Sequence, residues 1–200
     1  MAKGAYGYLA SRRKNAVLRT LTLAGISVGI FILGLVLNGG ERRNLFSIIA
    51  ALGAIPTALS LVNLILFLKA RPLSPEAHEE IERHRGGLLI RYELEMTSYE
   101  RTWHISAACV MDRNAVFYTE EQGADTAACE KHIREQLALG GYEDHTVKVF
   151  GAGERAAFCA RLDQLEKLRA ARNINPAAIE AAWQPGTTQT PAGILLSISL

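Results

Sequence analysis

Acidic residues are almost missing from the first third of the chain: among residues 1–71 Glu41 stands alone against nine lysines and arginines. From residue 72 onward the balance reverses, with nineteen acids to thirteen cations, so the net charge of +2 conceals a part at +8 and a part at −6. Affinity for nucleic acid comes from clustered cations facing phosphates, and an acidic domain is poorly suited to it; no nucleic-acid partner is expected. Charge of either sign is missing from two runs, Thr20 to Asn38 and Asn44 to Leu68. Cysteine is scarce as well. Cys109, Cys129 and Cys159 are odd in number and show no motif spacing, which argues against a disulfide scaffold and suits a reducing cytoplasm. No glycine-rich phosphate loop, GxSxG or HExxH occurs. Cys129 with His132, and His78 with His84, fall short of the four ligands of a structural zinc, so neither metal nor cofactor is expected.

What is present begins with those two uncharged runs, of nineteen and twenty-five residues. At about 1.5 Å per helical residue they reach about 28 and 37 Å, against a bilayer core of about 30 Å. A buried helix pair would need more protein around it than this chain has, and a cleaved signal peptide would need a small-x-small site where the sequence reads LNGGERR. The reading is a two-helix transmembrane hairpin over residues 20–69, with spans at about 20–38 and 44–68, preceded by a basic lead-in over 1–19. A cytoplasmic domain follows over 70–200. Five cations precede the first span and two lie in the loop, so the positive-inside rule places both termini in the cytoplasm of a multi-pass cell-membrane protein. Pro56 is expected to kink the second span.

Small residues recur in both spans: Gly25 and Gly29 form a GxxxG, and Ala50, Ala54 and Ala58 follow at intervals of four. That spacing lets helix backbones approach in lipid, so these faces are expected to pack the hairpin or to support self-association. With no Asp, Glu, Lys or His inside either run, a transport path has no support.

The cytoplasmic part reads as a small α/β (α+β) domain with a mixed sheet of four to five strands. Ser74, Pro75 and Glu76 start a helix that stops at Gly86-Gly87. In LLIRYELEM, residues 88–96, apolar even positions alternate with Arg91, Glu93 and Glu95, the period of a half-buried strand. WHISAACVM and AVFYT give two more strands, and a helix capped by Asp125 buries Cys129, Ile133 and Leu137. HTVKVF is a fourth strand, and a helix from Glu154 to about Arg172 carries Phe158, Leu162 and Leu165. A short helix near Pro176 precedes the apolar GILLSISL, read as a fifth strand because it is short and alternates Leu196, Ile198, Leu200 with serines.

The order helix, three strands, helix, strand, helix resembles the core of the restriction-endonuclease-like fold. That family's metal-binding Asp and following Glu/Asp-x-Lys have no counterpart here, so the resemblance implies no cleavage. The densest polar patch is RYELEMTSYERTWHIS, residues 91–106. Its candidate residues are Arg91, Glu93, Glu95 and His104, and alternation predicts a solvated sheet face for them rather than catalytic carboxylates. No enzyme is read from the sequence; if there is one, a transferase or hydrolase, that face is its site.

Over most of its length, through GYLASRRKN, GISVGIFILG, LFSIIAALGAIPTALSLVNLILFLK and the apolar close, the chain resembles a family of uncharacterised bacterial proteins with two membrane spans and a cytoplasmic domain. Some members carry the label O-linked GlcNAc transferase-like. No DxD-type motif supports that label here, and the expected role is a membrane-anchored interaction or scaffold module whose partners are the bilayer and a protein or itself.

Overall fold

The computed structural model describes residues 2–98 and 101–199; Glu100 and Leu200, both within segments read above, lie outside them. The chain divides into two units, a helical hairpin of residues 9–70 and a domain built from residues 1–8 and 71–200.

In the hairpin, α1 (Tyr8–Leu37) and α2 (Leu45–Lys69) are each long and apolar enough to cross a membrane. Asn44 caps α2 by accepting from the Ser47 amide at 2.9 Å. The helix runs unbroken through Pro56. Leu21, Val36, Leu45, Leu52 and Leu59 are each more than three-fifths exposed, so the hydrocarbon surface points outward. What the two helices bury against each other is small and hydroxyl-bearing. Thr20 and Ser60 share a buried hydrogen bond of 2.8 Å. A Cβ on Gly34 would fall 2.5 Å from Phe46 Cβ, and one on Gly53 would fall 2.7 Å from Ser27 Oγ.

Thr20, Ser27 and Gly34 are seven apart, as are Gly53 and Ser60; Thr20, Gly34, Ala50 and Ser60 are buried, and Ser27 and Gly53 half-buried. This heptad interval is the seam of a two-helix pair. The expected GxxxG is not part of it. A Cβ on Gly25 or Gly29 meets nothing within 4 Å, and Ala54 and Ala58 are exposed. The reason is geometric: a four-residue interval drifts around a helix that packs on a neighbour at 3.5 residues per turn.

In the domain, three helices start alike. Ser74, Asn175 and Thr190 each accept from the amide three residues on, and a proline follows each at the first helical position, giving α3 (Pro75–Arg83), α6 (Pro176–Ala182) and α7 (Pro191–Ile198). Proline's fixed φ suits that position, where its missing N–H is not needed. Asp125 caps α4 (Thr126–Leu139), which buries Cys129, Ile133 and Leu137, and α5 (Arg155–Arg172) buries Phe158, Cys159, Leu162 and Leu165.

The sheet runs β1 (Ile90–Thr97), β2 (Thr102–Met111), β3 (Asn114–Tyr118), β4 (Thr146–Phe150) in that spatial order. The first two pairings are antiparallel; β4, reached through α4, is parallel to β3. Among the described residues GILLSIS is not a fifth strand: Gly193 to Ile198 lie in α7, with Ile194 and Leu195 buried, and Ser199 follows as a bridge to Met96. The start signal Thr190-Pro191 decides for helix, and the apolar residues then fall at helical spacing.

Both sheet faces are covered. Leu88, Ile90 and Tyr92 pack with α3 and α5, whereas Leu94 and Met96 of the same strand pack with α4 and α7. β2 divides in the same way, Ala107, Cys109 and Met111 against Trp103 and Ile105. Pairing is unshifted across the division, with Tyr92 opposite Ala107 and Leu94 opposite Ile105. Between them Glu93 adopts a left-handed φ of 55°, which L side chains rarely take. In β1 the apolar set passes from one face to the other at this residue; β2 makes the same change around Ser106 with no left-handed residue of its own.

The segment before α1 belongs to the domain. The Tyr92 amide donates to the Gly4 carbonyl at 2.8 Å, and Tyr6 stacks on His78 with ring centres 3.7 Å apart. Lys3 Nζ donates to the Ser199 carbonyl. Gly4 sits at φ +80°, with Arg91 Cδ and Leu196 Cδ2 3.0 Å from where a Cβ would be, so any side chain here would be strained.

Candidate functional site

Arg91, Glu93, Glu95 and His104 do not form one solvated face. Glu93 is 3% and Glu95 4% exposed. The alternation in β1 is real, but a strand packed on both sides leaves no wet face, and both carboxylates lie inward.

Two of the four meet. Glu95 and His104 are direct partners across the β1–β2 ladder, and Glu95 Oε2 contacts His104 Nδ1. The carboxylate raises the imidazole's affinity for its proton, against burial, which works the other way; Glu121 adds to the rise and Arg71 opposes it. The His104 carbonyl accepts from Thr119 Oγ1 at 2.6 Å, and Thr119 Oγ1 in turn accepts from the Glu121 amide. Next along β2, Ser106 Oγ accepts from the Glu120 amide at 3.0 Å, while the Glu120 carboxylate accepts from Ser74 N and Oγ at 2.9 and 2.6 Å. The ends of β3 and α3 are thereby fixed around the pair.

Arg91 turns elsewhere. Its Nη2 lies 3.9 Å from Glu180 Oε2 on α6, and its stem packs beside Gly4. The sequence reading missed Glu180, Thr119 and Glu120. The polar TEE that closes β3 signals the last two; nothing local to α6 signals Glu180.

Chemically, a carboxylate that orients and charges a histidine is one half of an acid–base device. Here Glu95 is enclosed and the His104 side chain is 20% exposed, so any proton exchange with a ligand passes through the histidine. Among the described residues no group of three or more His, Cys, Asp and Glu is placed to hold a metal ion. A second polar knot joins Tyr92, whose hydroxyl donates to Glu82 at 2.6 Å, to Arg85 on the same carboxylate. Burial and Glu82 both keep Tyr92 protonated; on Glu82 the hydrogen bonds from Tyr92 and Arg85 outweigh burial and hold its carboxyl below the usual range.

Compared with protein-family models, curated proteins and solved structures, the chain matches none.

Proposed function

We propose that the chain is a multi-pass cell-membrane protein in which the α1–α2 hairpin anchors a cytoplasmic interaction or scaffold domain. The observation that carries this reading is the inverted character of the hairpin, with threonine, serine and glycine inside and leucine, isoleucine and valine outside. In water such a surface is unfavourable; in lipid it is the expected arrangement. Five cations before the first uncharged run and two in the loop favour cytoplasmic termini. Gly25, Gly29, Ala54 and Ala58, left open by the seam, suit close approach of a second copy or another membrane helix.

Three single-cysteine positions test the topology: Ala2, Glu41 and Thr188, all exposed. The native cysteines are buried and give little background. In intact cells a membrane-impermeant thiol reagent should label the Glu41→Cys protein and spare the other two. Labelling at Ala2→Cys and Thr188→Cys alone would reverse the orientation, and equal labelling in isolated, unpermeabilised membranes at all three would remove the membrane reading.

A second reading, a membrane-tethered enzyme, is favoured by one observation, the pairing of buried Glu95 with half-buried His104 beside the left-handed Glu93. A melting-temperature rise of several degrees with one metal ion or nucleotide, lost in His104→Gln, would select it over the scaffold reading.

A further inference from the structure

A cavity of about 240 Å³ opens where the end of β2 meets the two C-terminal helices. Its apolar wall is made by Leu89, Val110, Met111, Ile174 and Ile179, and two carboxylates, Asp112 and Glu180, stand on the same lining. No lysine, arginine or histidine lines it. The cations that balance the two acids approach from outside the lining. Arg172 Nη1 contacts Asp112 Oδ2, and Arg91 Nη2 stays 3.9 Å from Glu180 Oε2, beyond hydrogen-bond length. A carboxylate accepts about four hydrogen bonds, so one such neighbour orients it without exhausting it. The Glu180 side chain is 19% exposed, in surroundings where a charge pair is worth more than in water.

We propose that this cavity binds a small apolar amine, with its hydrocarbon body against Val110, Met111 and Ile179 and its ammonium on the Glu180 carboxylate. Asp112, paired with Arg172 outside the lining, stands on the same space. The volume lies just under the roughly 300–1,000 Å³ usual for ligand pockets, which limits the ligand to about the size of one ring with a short side chain. An anionic ligand of the same shape meets two carboxylates and is rejected. A neutral one of the same shape keeps the apolar contact and loses the charge-assisted hydrogen bond. The site does not depend on the membrane reading, and failure of either leaves the other standing.

The test uses the full chain in detergent micelles with three isosteres, phenethylamine, 2-phenylethanol and 3-phenylpropionate, titrated by ligand-observed NMR. Phenethylamine should bind saturably and about tenfold more tightly than the alcohol, with no saturable binding of the carboxylate. Glu180→Gln, at a helix surface, should keep the fold and bring the amine down to the affinity of the alcohol. Val110→Phe, which fills the cavity, should abolish binding of both. Equal affinities for amine and alcohol, an amine affinity unchanged in Glu180→Gln, amine binding that survives Val110→Phe, or no saturable binding of the amine would each overturn the proposal.

Discussion

Thr20 Oγ1 and Ser60 Oγ lie 2.8 Å apart in the buried seam of the hairpin, a hydrogen bond that joins α1 to α2. Interhelical hydrogen bonds in lipid contribute about 0.6 kcal/mol on average. Thr20→Val should therefore weaken the hairpin by about that much, measured as the detergent-denaturation midpoint of its helicity. Gly34→Val should cost more, because its first side-chain carbon meets Phe46 at 2.5 Å, and Gly25→Val should cost the hairpin almost nothing. A hairpin more sensitive at Gly25 than at Gly34 would return the seam to the GxxxG face.

The Glu95–His104 pair gives the domain a pH dependence of known sign. His104 is held above its ordinary value chiefly by its hydrogen bond to Glu95. A histidine so raised stabilises the fold fully below the unfolded value of about 6.5 and stops doing so as pH climbs through the folded value. Thermal melts should show stability lost upward from about pH 6.5 in the wild type, with a flatter profile in His104→Gln. Glu95→Gln, which takes the carboxylate from a half-buried histidine and leaves an amide in a buried position, should cost about 2 kcal/mol.

How far the sequence was legible differs between elements. α4 was read at both ends because Asp125 and Gly140 bound it and three apolar residues fall on one stripe. β2 was read from alternation, and β3 from the turn Asp112-Arg113-Asn114 before it. Alternation then misled in β1, because it records which residues are apolar and not whether the opposite face is covered. Glu93 and Glu95 read as wet, yet α4 and α7 pack where water was expected. No local pattern announces a left-handed glutamate. α7 was misread although its signal was present: Thr190-Pro191 repeats the Ser74-Pro75 pattern that located α3 correctly, and the length of the segment was given more weight than its cap. The hairpin seam was missed because short-range glycine spacing is visible to the eye, while a seven-residue interval of Thr20, Ser27 and Gly34 is not.

α7 should be needed for the domain's stability in its helical form. Leu195→Ala removes a side chain 1% exposed and should cost about 2–5 kcal/mol in denaturant unfolding. Thr190→Ala removes the cap and should cost about 1 kcal/mol. If the cap variant were neutral while Leu195→Ala kept its effect, packing alone would hold the segment.

The three thiols report on the two halves of the core separately. Burial pushes Cys109 and Cys129 up to about 12, and raises Cys159. Cys109 and Cys159 belong to the α3–α5 side and Cys129 to the α4–α7 side. At pH 8 the native chain should resist alkylation at all three, since the thiolate is the reactive form. In intermediate denaturant Cys129 alone should become reactive if the α4–α7 side opens first, and all three together if the domain is a single cooperative unit, as mass spectrometry of the alkylated peptides distinguishes.

The bond between the Gly4 carbonyl and the Tyr92 amide closes the outer edge of β1 with a piece of chain made before either long helix. Gly4 can meet that edge only once both helices and β1 have been made. A molecule in which only one of the helices crossed a bilayer would hold Gly4 and Tyr92 on opposite sides of about 30 Å of hydrocarbon. Its domain would be left with a bare strand edge, the feature that invites aggregation and disposal. On the membrane reading proposed above, the clasp would turn an error of insertion into an exposed strand edge in the domain.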